Sequence, residues 1–168
     1  MKKILIGIVI GICVPLMAGW LFVRLGGMPV PTKGDPLPLE KYIARTALHA
    51  AMDKEIGQTT SIPADEPNLL AGAKIYKVQC EVCHGQLGQP EFFIAKGMFP
   101  HPPQLLPPKR GVTNDLVGEI YWKVKNGIRL TGMPGYVDNL TDTEIWQVSL
   151  LLHQANKLPE SAQQVLRK

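Results

Sequence analysis

Cys80-Glu81-Val82-Cys83-His84 is the stretch on which the reading of this chain turns. Leu69 to Gln79, just before it, carry a helical pattern that runs directly into the pentapeptide. Gly85 to Gly111, just after it, contain Pro90, Pro100, Pro102, Pro103, Pro107 and Pro108. Proline fixes φ and has no backbone donor, so this density excludes regular sheet and most helix. Two thiols are therefore offered on one helical turn at the mouth of a long loop, with an imidazole immediately behind them.

Four chemistries use cysteines at this spacing. A thioredoxin-type dithiol wants a strand–helix setting, and no convincing alternating strand is found. A zinc site needs two more ligands, and beyond His84 only His49, His101, His153 and Cys13 remain. A structural disulfide inside the motif leaves His84 unexplained. C-x-x-C-H is, by contrast, the attachment sequence for c-type haem. There the two thiols add to the two porphyrin vinyl groups, and the next residue is held under the iron. The reading expects one covalently attached haem c on Cys80 and Cys83, with His84 as the proximal axial ligand.

The sixth iron position has four downstream candidates: Met98, His101, Met133 and His153. Met133 is favoured because it stands in Gly132-Met133-Pro134, between two expected helices. Glycine there lets the backbone approach the porphyrin, and proline stiffens the loop carrying the sulfur. Any single methionine is more often a packed core side chain. Met98 and His101 lie much closer to the attachment site, and helical packing is the plainer reading of His153. A domain of about 90 residues buries limited apolar surface by itself, so the haem is expected to serve as its core.

The N-terminus has a different solvent. Ile4 to Val23 is 20 consecutive uncharged, mostly apolar residues, preceded by Lys2 and Lys3 and followed by Arg24. As a helix it spans about 30 Å, the thickness of a bilayer's hydrocarbon core. Trp20 and Phe22 lie near one end, where aromatic rings favour the interface. The positive charge at the start places the N-terminus in the cytoplasm and exports the body. A cleaved signal peptide has a shorter apolar region, about 7–15 residues, and Leu16-Met17-Ala18-Gly19 is a poor cleavage site. Residues 1–25 are read as an uncleaved transmembrane anchor touching lipid through residues 4–23. Cys13 is an ordinary small apolar residue of that span.

Residues 26–68 follow as a linker, stiffened by Pro29, Pro31, Pro36 and Pro38, and one amphipathic helix over Leu39–Ile56. Leu39, Tyr42, Ile43, Ala47, Ala50 and Ile56 fall near one face of it. His49 and Met52 lie on the same helix and read as packed or solvated side chains. A third helix is expected from about Asn114 to Lys125, capped by Thr113 and stopped at Asn126-Gly127. A fourth opens with the capping box Thr141-Asp142-Thr143-Glu144 and ends before Pro159. The net charge is +4, of which Lys2, Lys3 and Arg24 supply three, and no basic stripe carries interleaved aromatics. Nucleic-acid binding is therefore not expected.

Leu69 to Pro159 resembles the class I cytochrome c family, in particular single-haem membrane-anchored members of bacterial respiratory chains. Gly72 and Tyr76 look like the family's first-helix glycine and aromatic, which meet an aromatic of the C-terminal helix, here Trp146. Asn126-Gly127-Ile128 through Gly132-Met133-Pro134 looks like its distal loop and makes Met133 the sixth ligand. A family proline carbonyl accepts a hydrogen bond from the proximal imidazole, and Pro102 or Pro103 could serve.

The resemblance implies an all-α fold of short helices and long loops around one haem, residues 69–159, with 160–168 as a C-terminal tail. His/Met ligation raises the iron's potential and fills the sixth position, which suits one-electron relay. The expectation is a bacterial membrane-anchored electron carrier facing the periplasm, between a redox donor and a redox acceptor. The alternatives are a haem subunit of a larger membrane oxidoreductase, of the nitric oxide reductase or terminal oxidase type, and a haem sensor or peroxidase-like enzyme. No catalytic residue is assigned. Lys109, Arg110, Lys123, Lys125 and Arg129 could offset haem propionates or guide docking, or form a solvated face.

Overall fold

The computed structural model describes residues 1–54, 59–107 and 111–168. Every regular element among them is helical. The chain divides into two compact units, Met1–Glu40 and Lys41–Lys168.

The first unit is α1, Lys2–Arg24, and the segment after it. Its hydropathy and length are those of a membrane-crossing helix or a signal sequence, and it buries none of its side chains within the structure. Pro15 sits inside α1, which membrane helices tolerate.

The second unit opens with most of α2, Glu40–Met52. Only Met52 is fully buried on it. The apolar residues read near one face are turned outward, with Leu39, Tyr42 and Ile43 all exposed. The expected end of that helix, Ile56 and Gly57, lies outside the described residues. Helix α3, Glu66–Gln79, begins earlier than the expected Leu69. Pro67 falls in the helix's first turn, where its missing N–H costs nothing. Asp65 caps that turn by accepting from the Asn68 amide at 3.1 Å.

Three further α-helices make the core with α3. They are α6, Val117–Asn126; α7, Asp142–His153; and α8, Glu160–Arg167. Between α3 and α6 come two single-turn helices, α4, Glu81–His84, and α5, Phe93–Lys96. Helix α6 starts at Val117, after Leu116, and not at the Thr113 cap expected from sequence. The capping box of α7 forms as expected, with Thr141 accepting from the Glu144 amide and Glu144 accepting from the Thr141 amide.

The core joins Tyr76 of α3, Ile120, Tyr121 and Val124 of α6, and Ile145, Trp146, Val148, Leu151 and Leu152 of α7. Each such large side chain contributes about 1.5–3 kcal/mol by leaving water. Gly72 sets the crossing of α3 and α7, because a β-carbon there would overlap the Gln147 backbone carbonyl. Trp146 stacks on Tyr121, ring centroids 3.9 Å apart, and shares one core with Tyr76, the first-helix aromatic. The residues read as a C-terminal tail form α8, which packs on α3 and buries Ala162 and Leu166 completely. Its Ala162, Val165 and Leu166 stand at helical spacing, a local signal that the reading of 160–168 as a tail passed over.

Candidate functional site

Helix α3 breaks at Cys80, and the chain turns at once into α4. That break puts Cys80, Cys83 and His84 on one turn beside the core. Both cysteines are free and half-buried. Burial, and then the neighbouring Cys83, push the Cys80 thiol up to about 12. Such a thiol holds its proton at neutral pH, unlike the low-pKa cysteine of a redox dithiol. Among the described residues no three His, Cys, Asp or Glu side chains gather to hold a metal ion, so the zinc alternative finds no partner ligands.

His84 is gripped from the proline-rich loop. Its Nδ1 donates to the Pro103 carbonyl at 2.8 Å, and its own carbonyl accepts from the Leu105 amide at 3.1 Å. Pro103 therefore takes the role that the sequence left open between two prolines, while Pro102 is buried. Because a carbonyl can only accept, Nδ1 carries the proton and Nε2 of the neutral ring keeps its lone pair. Burial lowers the imidazole's pKa, against the opposing effect of the Pro103 hydrogen bond, and so favours that neutral form.

Next to it, Tyr76 donates to the Gly85 carbonyl at 2.6 Å. Gly85 has φ +86, and a β-carbon on it would overlap the Gln104 amide oxygen. The positive φ is what calls for glycine at this exit from the motif, since the Gln104 side chain could turn aside. Farther along the loop, His101 Nε2 pairs with Glu91 at 2.6 Å.

Met133 lies in a loop closed on itself and partly packed against the core. Its amide donates to the Thr131 hydroxyl at 3.1 Å, and its carbonyl accepts from the Ile128 amide at 3.2 Å. Gly127, at φ +67, packs so closely on Gly135 that a β-carbon would collide with the Gly135 amide. Tyr136 closes the loop by donating to the Gln79 carbonyl at 2.8 Å. Burial first, and then Cys80 and Cys83, push the Tyr136 hydroxyl up to about 12. The Met133 loop and the proline-rich loop are thus pinned at Gln79 and His84, the two residues that bracket the cysteines.

Some expected site residues are placed otherwise. Lys109 and Arg110 lie outside the described residues. Lys123 pairs with Asp115 at 2.9 Å, and Lys125 reaches the Tyr121 hydroxyl at 2.9 Å and Asp142 at 3.6 Å. Those two cations are engaged within the fold, and Arg129 is exposed on the Met133 loop. His153 Nδ1 is bonded to the Asp115 carbonyl at 3.1 Å, which supports its packing role. His49 is exposed on α2, and Cys13 is exposed on α1. Sequence reasoning missed Leu105, Gln104 and Tyr136. Of these only Tyr136, three residues beyond Met133, carried a positional signal.

Free thiols on one turn, a neutral imidazole with one nitrogen available, and two glycine-dependent loops tied beside them fit a haem held through its edge and its iron. Residues 67–150 match the family model described as cytochrome C oxidase, cbb3-type, subunit III. No curated protein and no solved structure matches the chain. The match covers the helices and loops that build this site and half of the chain, and the chain belongs to that family of haem-binding c-type cytochromes.

Proposed function

We propose that this protein is a membrane-tethered carrier of single electrons, with one haem c attached through Cys80 and Cys83 and ligated by His84 and Met133. The observation that carries the reading is the grip on His84. With Nδ1 committed to Pro103, the ring has one tautomer and one orientation, and Nε2 is the nitrogen available to a metal. Haem bound in this way supplies a one-electron couple at its iron.

The chain's own residues explain why such a couple would turn over with little motion. Pro103 and Leu105 hold the imidazole from two sides of its backbone and ring. Thr131 and Ile128 hold the Met133 backbone within a loop closed by the packing of Gly127 on Gly135, and Tyr136 fastens that loop to Gln79. Residues 4–23 keep the domain at the membrane, with the haem domain on the extracytoplasmic side, where the donor and acceptor redox proteins dock.

The test uses full-length protein from a host that matures c-type cytochromes. The expected product gains the mass of one haem per chain, loses it in the Cys80→Ser/Cys83→Ser variant, and titrates as a single one-electron couple. A colourless protein with the mass of bare polypeptide would overturn the proposal.

A second reading is favoured by the description of the matching family, which names an oxidase subunit. In it the same haem domain is the electron-entry subunit of a larger membrane oxidoreductase. Co-purification with a catalytic membrane subunit in mild detergent supports this reading, and isolation as a lone redox-active chain supports the free carrier.

A further inference from the structure

Met98 has no role in the reading so far, yet its placement is specific. It follows the buried Ala95 and the turn at Gly97, and its amide donates to the Ala95 carbonyl at 3.2 Å. Its half-buried side chain crosses to the other loop and lies on Gly132, the residue immediately before Met133. A β-carbon on Gly132 would overlap the Met98 methyl, and the Met98 sulfur stands 3.8 Å from that position. Gly132 has an ordinary backbone conformation here, and the Met98 methyl occupies the space that a side chain on it would take.

The four sequence candidates for the distal position are thereby sorted. His101 is paired with Glu91, and His153 is bonded to the Asp115 carbonyl. Of the remaining two, Met133 stands on its own loop and Met98 reaches that loop from the other, its methyl lying against Gly132. The chain carrying Met98 also runs on, within five residues, to the Pro103 carbonyl that orients His84. It therefore passes from the imidazole to the Met133 loop along one side of the site.

We propose that Met98 is a second thioether ligand, which takes the distal iron position when Met133 leaves it. This rests on the haem reading above. In the exchange one sulfur–iron bond breaks and another forms, with no proton or electron transferred. Methionine's unbranched side chain, with three rotatable bonds, allows such a move without a backbone change. The consequence is an iron that stays six-coordinate and closed to small exogenous ligands while the Met133 loop opens.

The experiment is absorption spectroscopy of the oxidised holoprotein, read at the far-red sulfur-to-iron charge-transfer band. Met98→Ala keeps the band. Met133→Ala also keeps it, with a shifted midpoint potential, and the Met133→Ala/Met98→Ala variant loses it and turns high-spin. Met133→Ser, which likewise supplies no sulfur, gives the same readout if the alanine variant fails to mature. A band lost in Met133→Ala alone overturns this proposal and leaves the His84/Met133 assignment standing. A band lost in Met98→Ala alone overturns both assignments, since Met98 would then be the resting ligand.

Discussion

Tyr136 donates its hydroxyl to the carbonyl of Gln79 at 2.8 Å, joining segments 57 residues apart. Gln79 is the last residue before Cys80, and Tyr136 lies three residues beyond Met133. One hydrogen bond thus ties the loop carrying the proposed sulfur ligand to the helix end carrying the thiols. Removing the hydroxyl leaves the Gln79 carbonyl without this donor at no cost in core volume. Tyr136→Phe is expected to lower unfolding free energy by about 1 kcal/mol in urea titrations. In a Met98→Ala background, where no second thioether covers the iron, it is also expected to speed binding of exogenous imidazole to the oxidised holoprotein, because the Met133 loop opens more often. Unchanged imidazole kinetics would show that the bond is not what keeps the loop shut.

The crossing of α3 on α7 depends on Gly72, where a β-carbon meets the Gln147 backbone and not a movable side chain. One methyl group must therefore separate two helices that share Tyr76, Val148 and Leu151 in a single core. Overpacking of this kind typically costs about 1–3 kcal/mol. Gly72→Ala is expected to lower the urea midpoint by a corresponding amount with the slope unchanged. A midpoint equal to that of the parent protein would mean that the crossing can relax.

What could be read from sequence follows how local each signal was. The turn at Cys80–His84, the capping box and the loop at Gly132-Met133-Pro134 depend on neighbouring residues, and each could be located without coordinates. Contacts across long separations were not. Nothing adjacent to Tyr136 points to Gln79, and nothing near Pro103 distinguishes its carbonyl from that of Pro102. Helix α8 was passed over although Ala162, Val165 and Leu166 stand at helical spacing; what the sequence did not show is that this face docks on α3. The outward face of α2 fails in the opposite way: its amphipathic spacing is local, but burial needs a partner that the described residues do not supply.

Helix α1 makes the fate of residues 1–25 a direct measurement. Its 23 residues match the thickness of a bilayer core, and arginine stands at its far end. Retained as an anchor, it keeps the protein in the membrane pellet through an alkaline carbonate wash, and the intact mass includes the residues from Met1 or Lys2 onward. A soluble haem protein whose sequence begins after Ala18 would identify the segment as a cleaved signal.

The start of α7 sets a pH dependence whose sign can be worked out. The Glu144 carboxylate accepts from the Thr141 amide at 2.8 Å and the Thr141 hydroxyl at 2.7 Å. These bonds, the backbone one first, hold its pKa below the ordinary 4.5. The folded state therefore favours the ionised form more than the unfolded chain does. That contribution is complete above the unfolded value of 4.5 and disappears as pH falls through the lower folded value. Glu144→Gln retains an oxygen acceptor for the cap but cannot titrate. The stability difference between parent and variant is expected to be constant from pH 7 down to about 5 and to shrink below about 4.5. Urea titrations across that range decide the matter: parallel acid limbs would show that Glu144 contributes nothing through its charge.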